Sequence, residues 1–99
     1  MNDSRTAGML GLAIRAGQAA SGMDACRILI RSGKCGVLLL DGDAGPNTRR
    51  KADELCRQAE IPMMLLPAGL IEKATGRSNM MIAVRQGSLA EQLLQINEG

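Results

Sequence analysis

Aromatic residues are absent from this 99-residue chain, which contains no Phe, Tyr or Trp. Single-strand binding domains that stack bases on aromatic rings are therefore excluded as a class. The core has to be built from aliphatic side chains and from methionine, of which the chain has seven. Methionine adapts to irregular gaps, so a core of this composition can still pack well.

Histidine is absent as well. A nucleophile paired with histidine cannot form, and zinc or haem would find few ligands. The three cysteines are odd in number and form no C-x-x-C motif. We therefore expect reduced, half-buried thiols, no metal site, no cofactor and no catalytic residues.

Long apolar runs are also missing. No segment approaches the ~20 apolar residues of a membrane span, and the start, MNDSRTAG, does not resemble a signal peptide. No linker-like stretch or internal repeat divides the chain. We expect a cytoplasmic protein without membrane contact and a single domain over residues 1–99.

Charge is nearly balanced, with twelve basic and ten acidic residues and a net charge of +2. A value this small does not by itself indicate nucleic acid. All twelve basic residues nevertheless lie between Arg5 and Arg85. Any basic surface must belong to the body of the domain rather than to its C-terminal end.

Residues 17–34 predict a short helix with a signal at each end. Ser21, followed three positions later by Asp24, has the form of a capping box, and Gly33 suits a left-handed C-cap. One side carries Met23, Cys26, Leu29 and Ile30, and another carries Asp24, Arg27, Arg31 and Lys34. The N-terminus of this helix, behind Ser21-Gly22, can receive an anion.

Apolar runs and helical patterns alternate along the rest of the chain. This alternation predicts the α/β class, as a three-layer α/β/α sandwich with a small mixed central sheet. The run 35–40 has the continuous apolar character of a buried strand, and 61–66 predicts a second buried strand. Further helices are predicted over 5–16, 46–60, 67–75 and 88–96, a third strand over 80–84, and a short extended segment over 18–21.

Two acidic residues, Asp41 and Asp43, follow the apolar run in LLLDGDAG. Paired carboxylates at a strand end can hold Mg²⁺ for phosphoryl transfer. The favoured interpretation is that they are turn formers and N-terminal caps beside Gly42 and Gly45. A nucleotide site is not indicated, because neither G-K-[ST] nor G-x-G-x-x-G occurs.

The basic cluster Arg49-Arg50-Lys51 is followed at once by Asp53 and Glu54. A solvated helix face is the favoured interpretation, and a phosphate contact is the alternative. Residues 76–81, Gly-Arg-Ser-Asn-Met-Met, predict either an ordinary loop or, together with the helix behind Ser21, a recognition surface with an apolar tip.

Short motifs follow one another in a characteristic order over roughly residues 5–96. They are Leu10-Gly11-Leu12-Ala13-x-Arg15-Ala16-Gly17-Gln18, Ser21-Gly22, Arg31-Ser32-Gly33-Lys34, Asp43-Ala44-x-x-Asn47-Thr48 with Lys51, Ile61-Pro62, and Gly76-Arg77 with Ala83-Val84. In order and spacing they resemble the bacterial YlxQ branch of the ribosomal L-seven-Ae and L-thirty-e superfamily. The resemblance implies the family's α/β/α sandwich and binding of kink-turn RNA, an asymmetric bulge flanked by tandem sheared G·A pairs.

In that family the recognition helix carries Gly-x-Asn-Glu-x-x-Lys, with a further Gly five residues beyond the Lys. Aligned on Gly22 and Gly33, only the glycines match. The positions of the family's Asn, Glu and Lys hold Asp24, Ala25 and Ile28, and Gln18 stands where a Lys is common. The family's second contact is a loop that covers a flipped-out base, and by position it falls on residues 77–80.

The resemblance therefore implies an RNA site in which the Gly22 corner enters a widened groove and the 77–80 loop holds an extruded base. The candidate residues are Gln18, Ser21, Gly22, Asp24, Arg27, Arg31, Arg77, Ser78, Asn79 and Met80. Binding would depend mainly on phosphate contacts, and the affinity would therefore fall as the salt concentration rises.

The favoured hypothesis is a non-catalytic, monomeric RNA-binding protein associated with ribosomal or other structured RNA. A ribosomal or translation-factor protein is left open as a further partner. The alternative is a protein-interaction module on the same fold, because Asp24, Ala25 and Ile28 have replaced the family's polar residues. A Mg²⁺-dependent enzyme using Asp41 and Asp43 is the weakest hypothesis.

Overall fold

The structure, a computed structural model, describes residues 3–98. Helices and strands alternate along this part of the chain, as the apolar pattern predicts. The helices are α1 (Asp3–Arg15), α2 (Met23–Arg31), α3 (Pro46–Ala59), α4 (Leu70–Thr75) and α5 (Ser88–Glu98). The strands are β1 (Ala19–Ser21), β2 (Cys35–Asp41), β3 (Met63–Leu66) and β4 (Met81–Arg85). None of the helices within residues 3–98 has both the length and the apolar character needed to cross a bilayer.

The four strands form one mixed sheet in the order β1-β4-β2-β3. Strand β4 is antiparallel to both of its neighbours, whereas β2 and β3 run parallel. The last strand in the sequence therefore lies between the first two. This arrangement places the end of β1, the end of β2 and the start of β4 at the same end of the sheet.

Side chains of β2 alternate between the two faces of the sheet, and each face is covered by helices. Val37 and Leu39 pack in a cluster with residues of α1, α4 and α5, and Leu38 and Leu40 pack in a second cluster with residues of α2 and α3. Helices on both faces of a mixed sheet make a three-layer α/β/α sandwich. The predicted fold class is confirmed.

Three helices are followed by a glycine with a left-handed backbone, and one of these glycines is Gly33, which was predicted as a C-cap. Gly17, Gly33 and Gly76 all have positive φ, between 70° and 77°, and each follows a helix. Pro46 opens α3, where its missing N–H costs no intrahelical hydrogen bond. These local signals set the ends of elements correctly because the backbone conformation itself demands the residue type.

Other element predictions are wrong in detail. Residues 61–66 are not a buried strand, because β3 is an edge strand in which only Met64 and Leu66 are buried. The third helix ends at Ala59 rather than at residue 60, and Ala59 is exposed. The fourth helix begins at Leu70 rather than at residue 67, since Leu70 N–H donates to the C=O of Pro67 in a turn that precedes it.

The three cysteines are free thiols and lie in the part of the core that α2 and α3 form with the sheet. They are fully buried, not half-buried as predicted. Burial raises the pKa of Cys26 to about 12 and that of Cys56 to about 11, and it also raises the pKa of Cys35. At neutral pH all three are uncharged and act as small apolar side chains.

α5 packs tightly against β2 at Gly36. A Cβ at this position would lie 2.8 Å from Ala90 Cβ and 3.0 Å from Gln86 Cα. We expect Gly36→Ala to lower the free energy of unfolding by about 1–3 kcal/mol, because α5 must move away from the sheet. The measurement is urea unfolding followed by circular dichroism.

The matched control is Gly8→Ala in α1, where an added Cβ meets nothing within 4 Å. Alanine has the higher helix propensity, so this variant should gain about 0.5–1 kcal/mol. Equal stability of the two variants would contradict the described packing of α5.

Candidate nucleic-acid interface

The corner between β1 and α2 is built on Gly22. Its N–H donates to the C=O of Met81 at 3.1 Å, and its C=O accepts the N–H of Cys26 at 3.0 Å. Its φ of 88° and ψ of 163° are accessible to glycine and strained for other residues. Gly22 is therefore the N-cap of α2, and the predicted Ser21 capping box is wrong, because Ser21 is the last residue of β1 and no side chain caps the helix.

This change of cap alters what the helix offers to a ligand. The N–H groups of Met23, Asp24 and Ala25 lie in the first turn, where they have no acceptor within the helix. With no side-chain cap on the helix, they remain directed out of its N-terminus. An anion such as a phosphate can accept hydrogen bonds from such groups and also meets the positive end of the helix dipole.

The loop of residues 76–80 is fixed at both ends by hydrogen bonds. Thr75 Oγ1 accepts the N–H of Arg77 at 3.1 Å and donates to the C=O of Arg77 at 3.2 Å. Asn79 N–H donates to the same C=O at 3.0 Å. At the other end, the C=O of Met80 accepts the N–H of Asp41 at 2.8 Å. The loop therefore has a defined shape before any ligand arrives.

The loop and the helix corner meet at Asn79. Its Oδ1 lies 3.8 Å from the position that a Cβ of Gly22 would occupy. The neighbouring Met80 is 38% exposed. An amide that can pair with a base edge thus stands beside the N-terminus of α2, with an apolar side chain next to it. The residues that the fold gathers at this end are Ser21, Gly22, Asp24, Arg77, Ser78, Asn79 and Met80.

Charges at the start of α2 are paired with each other. Arg27 Nη1 lies 3.3 Å from Asp24 Oδ1, and the Asp24 side chain is 92% exposed. An exposed pair of this kind stabilises the fold little. Its effect on a ligand is larger, because the carboxylate repels phosphate and holds a guanidinium that could otherwise bind it.

Two of the candidate residues lie away from the corner. Arg31 is in the last turn of α2, about 12 Å along the helix from Met23. It lines a shallow pocket of about 360 Å³ between α2 and α3, together with Arg27 and Lys51. Gln18 precedes β1, and its C=O accepts the N–H of Arg85 at 2.8 Å. The structure therefore puts Gln18 at the opposite end of β1, about 13 Å from Gly22.

Ile28 is the most exposed large apolar residue of α2, with 72% of its surface accessible to solvent. It stands where the resemblance places a lysine of the family. Ala25, one turn earlier, is exposed as well. The outer surface of α2 is therefore apolar at its centre, with Arg27 on the side that faces α3.

Asp41 forms the turn predicted for it and also joins that turn to a second one at Gly69. One carboxylate oxygen accepts the N–H of Asp43 at 2.8 Å, and the other accepts the N–H of Gly69 at 3.1 Å. The residue is only 2% exposed, whereas Asp43 is exposed. Asp41 is therefore a turn former, as interpreted, but the interpretation of the acids as N-terminal caps is wrong, because the N-cap of α3 is Gly45 and no side chain caps this helix. Thr75 was missed, although a threonine just before a helix-ending glycine is a usable signal for such a turn.

Arg49 and Arg50 project from the exposed side of α3. Arg49 Nη2 donates to the C=O of Gly42 at 3.4 Å, and Arg50 Nη2 donates to Asn47 Oδ1 at 3.3 Å. Lys51 faces the pocket beside α2 instead. The basic cluster thus divides between two surfaces, which fits its interpretation as a solvated helix face.

Comparison with solved structures supports the fold. A protein of unknown function from Bacillus halodurans superposes with a TM-score of 0.88 at 24% identity, over 95% of this chain and 97% of that one. The Giardia lamblia 15.5kD RNA binding protein superposes with a TM-score of 0.78 at 11% identity, over 97% of this chain and 88% of that one. No protein-family model matches the sequence, and no curated protein matches it. At these identities the likeness establishes a shared fold.

Replacing Gly22 should damage the corner selectively. We expect Gly22→Ala to lower the free energy of unfolding by about 1–3 kcal/mol, because the backbone conformation there is strained for alanine. The control is Gly45→Ala at the N-cap of α3, where φ is −69° and a Cβ meets nothing within 4 Å. Its cost should stay below about 1 kcal/mol. Chemical unfolding measures both, and equal losses would contradict a special requirement at Gly22.

Proposed function

We propose that this protein binds structured RNA through the β1–α2 corner and the 77–80 loop, without catalysing a reaction. The observation that carries the proposal is the position of Asn79 beside Gly22. This position brings the N–H groups at the N-terminus of α2 next to a loop of fixed conformation. The loop carries an amide that can pair with a base. The fold shared with an RNA-binding protein from Giardia adds support.

The RNA backbone enters at the N-terminus of α2. The N–H groups of the first turn donate to a phosphate, and Ser21 and Gly22 leave space for the backbone to approach. Arg27 and Arg77 flank this point and supply positive charge. Arg31 extends the contact along the pocket between α2 and α3 to a second phosphate.

A base extruded from the RNA enters the loop. The Asn79 amide pairs with its edge, and Met80 packs on its face in place of an aromatic ring. A kink-turn presents both features, a widened groove and an unstacked base. The biological ligand is therefore a kink-turn or similar motif in ribosomal or another structured RNA, and the protein acts in the cytoplasm as a monomer. A ribosomal or translation-factor protein is the partner most compatible with such a site.

A kink-turn RNA should bind more tightly than a matched RNA whose sheared G·A pairs are replaced by Watson–Crick pairs. Arg27→Ala combined with Arg77→Ala should weaken binding about 10- to 100-fold and reduce the slope of log affinity against log salt by about 2. Fluorescence anisotropy titrations at several salt concentrations measure both effects.

The control is Arg57→Ala, which removes one positive charge from the last turn of α3, away from the corner. It should leave the affinity within about twofold. Unchanged binding after loss of Arg27 and Arg77 would show that the assigned site is wrong.

Removing the Asp24 carboxylate should strengthen RNA binding. Asp24→Asn keeps the side chain's size, abolishes repulsion of the phosphate and releases Arg27 from its ion pair. We expect an affinity gain of about fivefold at low salt that shrinks as salt is added. The same titration detects it, and a loss of affinity would mean that Asp24 accepts a hydrogen bond from the RNA.

A second candidate function, contact with a protein partner at α2, is favoured by one observation. Ile28 is 72% exposed at the centre of the surface on which the family carries polar RNA-binding residues. Exposed apolar side chains of this kind are typical of interaction sites. Equal and weak binding of the two RNAs would favour this function over the first.

A further inference from the structure

The sheet has an open edge at β3, the outermost strand beyond β2. The C=O of Pro62 accepts the N–H of Leu38 at 3.1 Å, so the even-numbered residues of β3 direct their backbone groups toward β2. In an extended strand the direction alternates, and the N–H and C=O groups of Met63 and Leu65 therefore point away from the sheet. An open edge of this kind is a template for another strand.

The side chains of the same two residues are exposed. Leu65 is 50% exposed and Met63 37%, because α3 does not cover this part of the sheet. A shallow groove of about 360 Å³ runs between α3 and β3. It is lined by Leu40, Arg49, Arg50, Asp53, Met63 and Leu65. The open edge thus combines unpaired backbone groups with apolar contact surface.

The groove carries a positive charge that acids within residues 3–98 do not neutralise. Asp53 is engaged by Arg57, with 3.0 Å between Arg57 Nε and Asp53 Oδ2. Arg49 and Arg50 donate to a backbone carbonyl and to an amide oxygen, both uncharged. An acidic ligand would be complementary to the groove.

We propose that an extended, acidic segment of a partner protein adds to β3 as a fifth strand. Its backbone pairs with Met63 and Leu65, its apolar side chains cover the same two residues, and its carboxylates meet Arg49 and Arg50. Strand addition of this kind takes affinity from the backbone and specificity from alternate side chains.

Other occupants fit less well. RNA offers no row of alternating N–H and C=O groups at strand spacing, and no aromatic side chain is present to stack its bases. A second copy of this chain would bring two further arginines to the same seam. The groove also lies at the opposite edge of the sheet from β1, about 14 Å away across three strand spacings. The segment and the RNA can therefore bind together.

The test uses the full chain labelled with ¹⁵N and an acetylated probe peptide, Glu-Thr-Val-Thr-Leu-Thr-Glu, whose odd positions bring two apolar side chains and two carboxylates to the same face of the added strand. We expect saturable binding in which the amide protons of Met63 and Leu65 exchange at least about tenfold more slowly, since they become hydrogen-bonded. N-methylation of alternate peptide amides on one edge should abolish binding, whereas methylation on the other edge should not. This comparison leaves the protein unaltered.

Variants test the assignment further. Leu65→Glu should weaken peptide binding about tenfold or more, because it places a carboxylate against an acidic ligand. The control is Leu12→Glu, which changes an apolar residue of α1 with a similar exposure, 44%. It should bind the peptide normally.

Three results would overturn the proposal. They are no binding at millimolar peptide, an affinity that N-methylation of the peptide does not change, or changes in amide signals that are confined to α2. Displacement of the peptide by kink-turn RNA would assign Arg49 and Arg50 to RNA. Formation of a dimer through β3 would assign the edge to a second copy. Because the RNA titration is a separate experiment, failure of one proposal does not imply failure of the other.

Discussion

Two consecutive carbonyl groups at the start of β4 hold the candidate site together. In an extended chain neighbouring carbonyls point in opposite directions. The C=O of Met80 accordingly accepts Asp41 N–H from β2, while the C=O of Met81 accepts Gly22 N–H from the β1–α2 corner. Because β4 lies between β1 and β2, this one dipeptide sets the position of the corner, the β2–α3 turn and the loop. These two hydrogen bonds are sufficient to place Asn79 beside Gly22, and no direct bond between the two residues is required.

Features that depend on local backbone conformation could be predicted from the sequence. The positive-φ Gly33 follows α2 at the predicted helix end, and Pro46 opens α3. The Ser21 cap was wrong because a long-range interaction prevailed over a local preference. Ser21 pairs with Ile82 in the sheet, which moves the cap to Gly22. No local signal contains that pairing.

The contrast between local preference and long-range pairing also explains the other predictions that the structure contradicts. An apolar run such as 61–66 predicts a strand, but it does not tell whether a second strand or solvent lies beyond it. The exposure of Met63 and Leu65 follows only from the strand order. Gln18 was grouped with the corner because it is near Gly22 in sequence, whereas the direction of β1 carries it away. The pairing of the helix corner with the 77–80 loop was one of two alternatives that the residues themselves left open, and the family resemblance favoured it.

The position of β4 also bears on how the protein is made. The strand that completes the centre of the sheet is the last to be synthesised, and Ala20 pairs with Ala83. Until residues 81–85 are available, β1 has no neighbour and one side of β2 is unpaired. Contacts between residues so distant in sequence slow folding, since a long loop must close before they form. A nascent chain would therefore expose apolar surface until β4 has been synthesised, and truncation before β4 would separate β1 from the β2–β3 pair rather than remove one edge of the sheet.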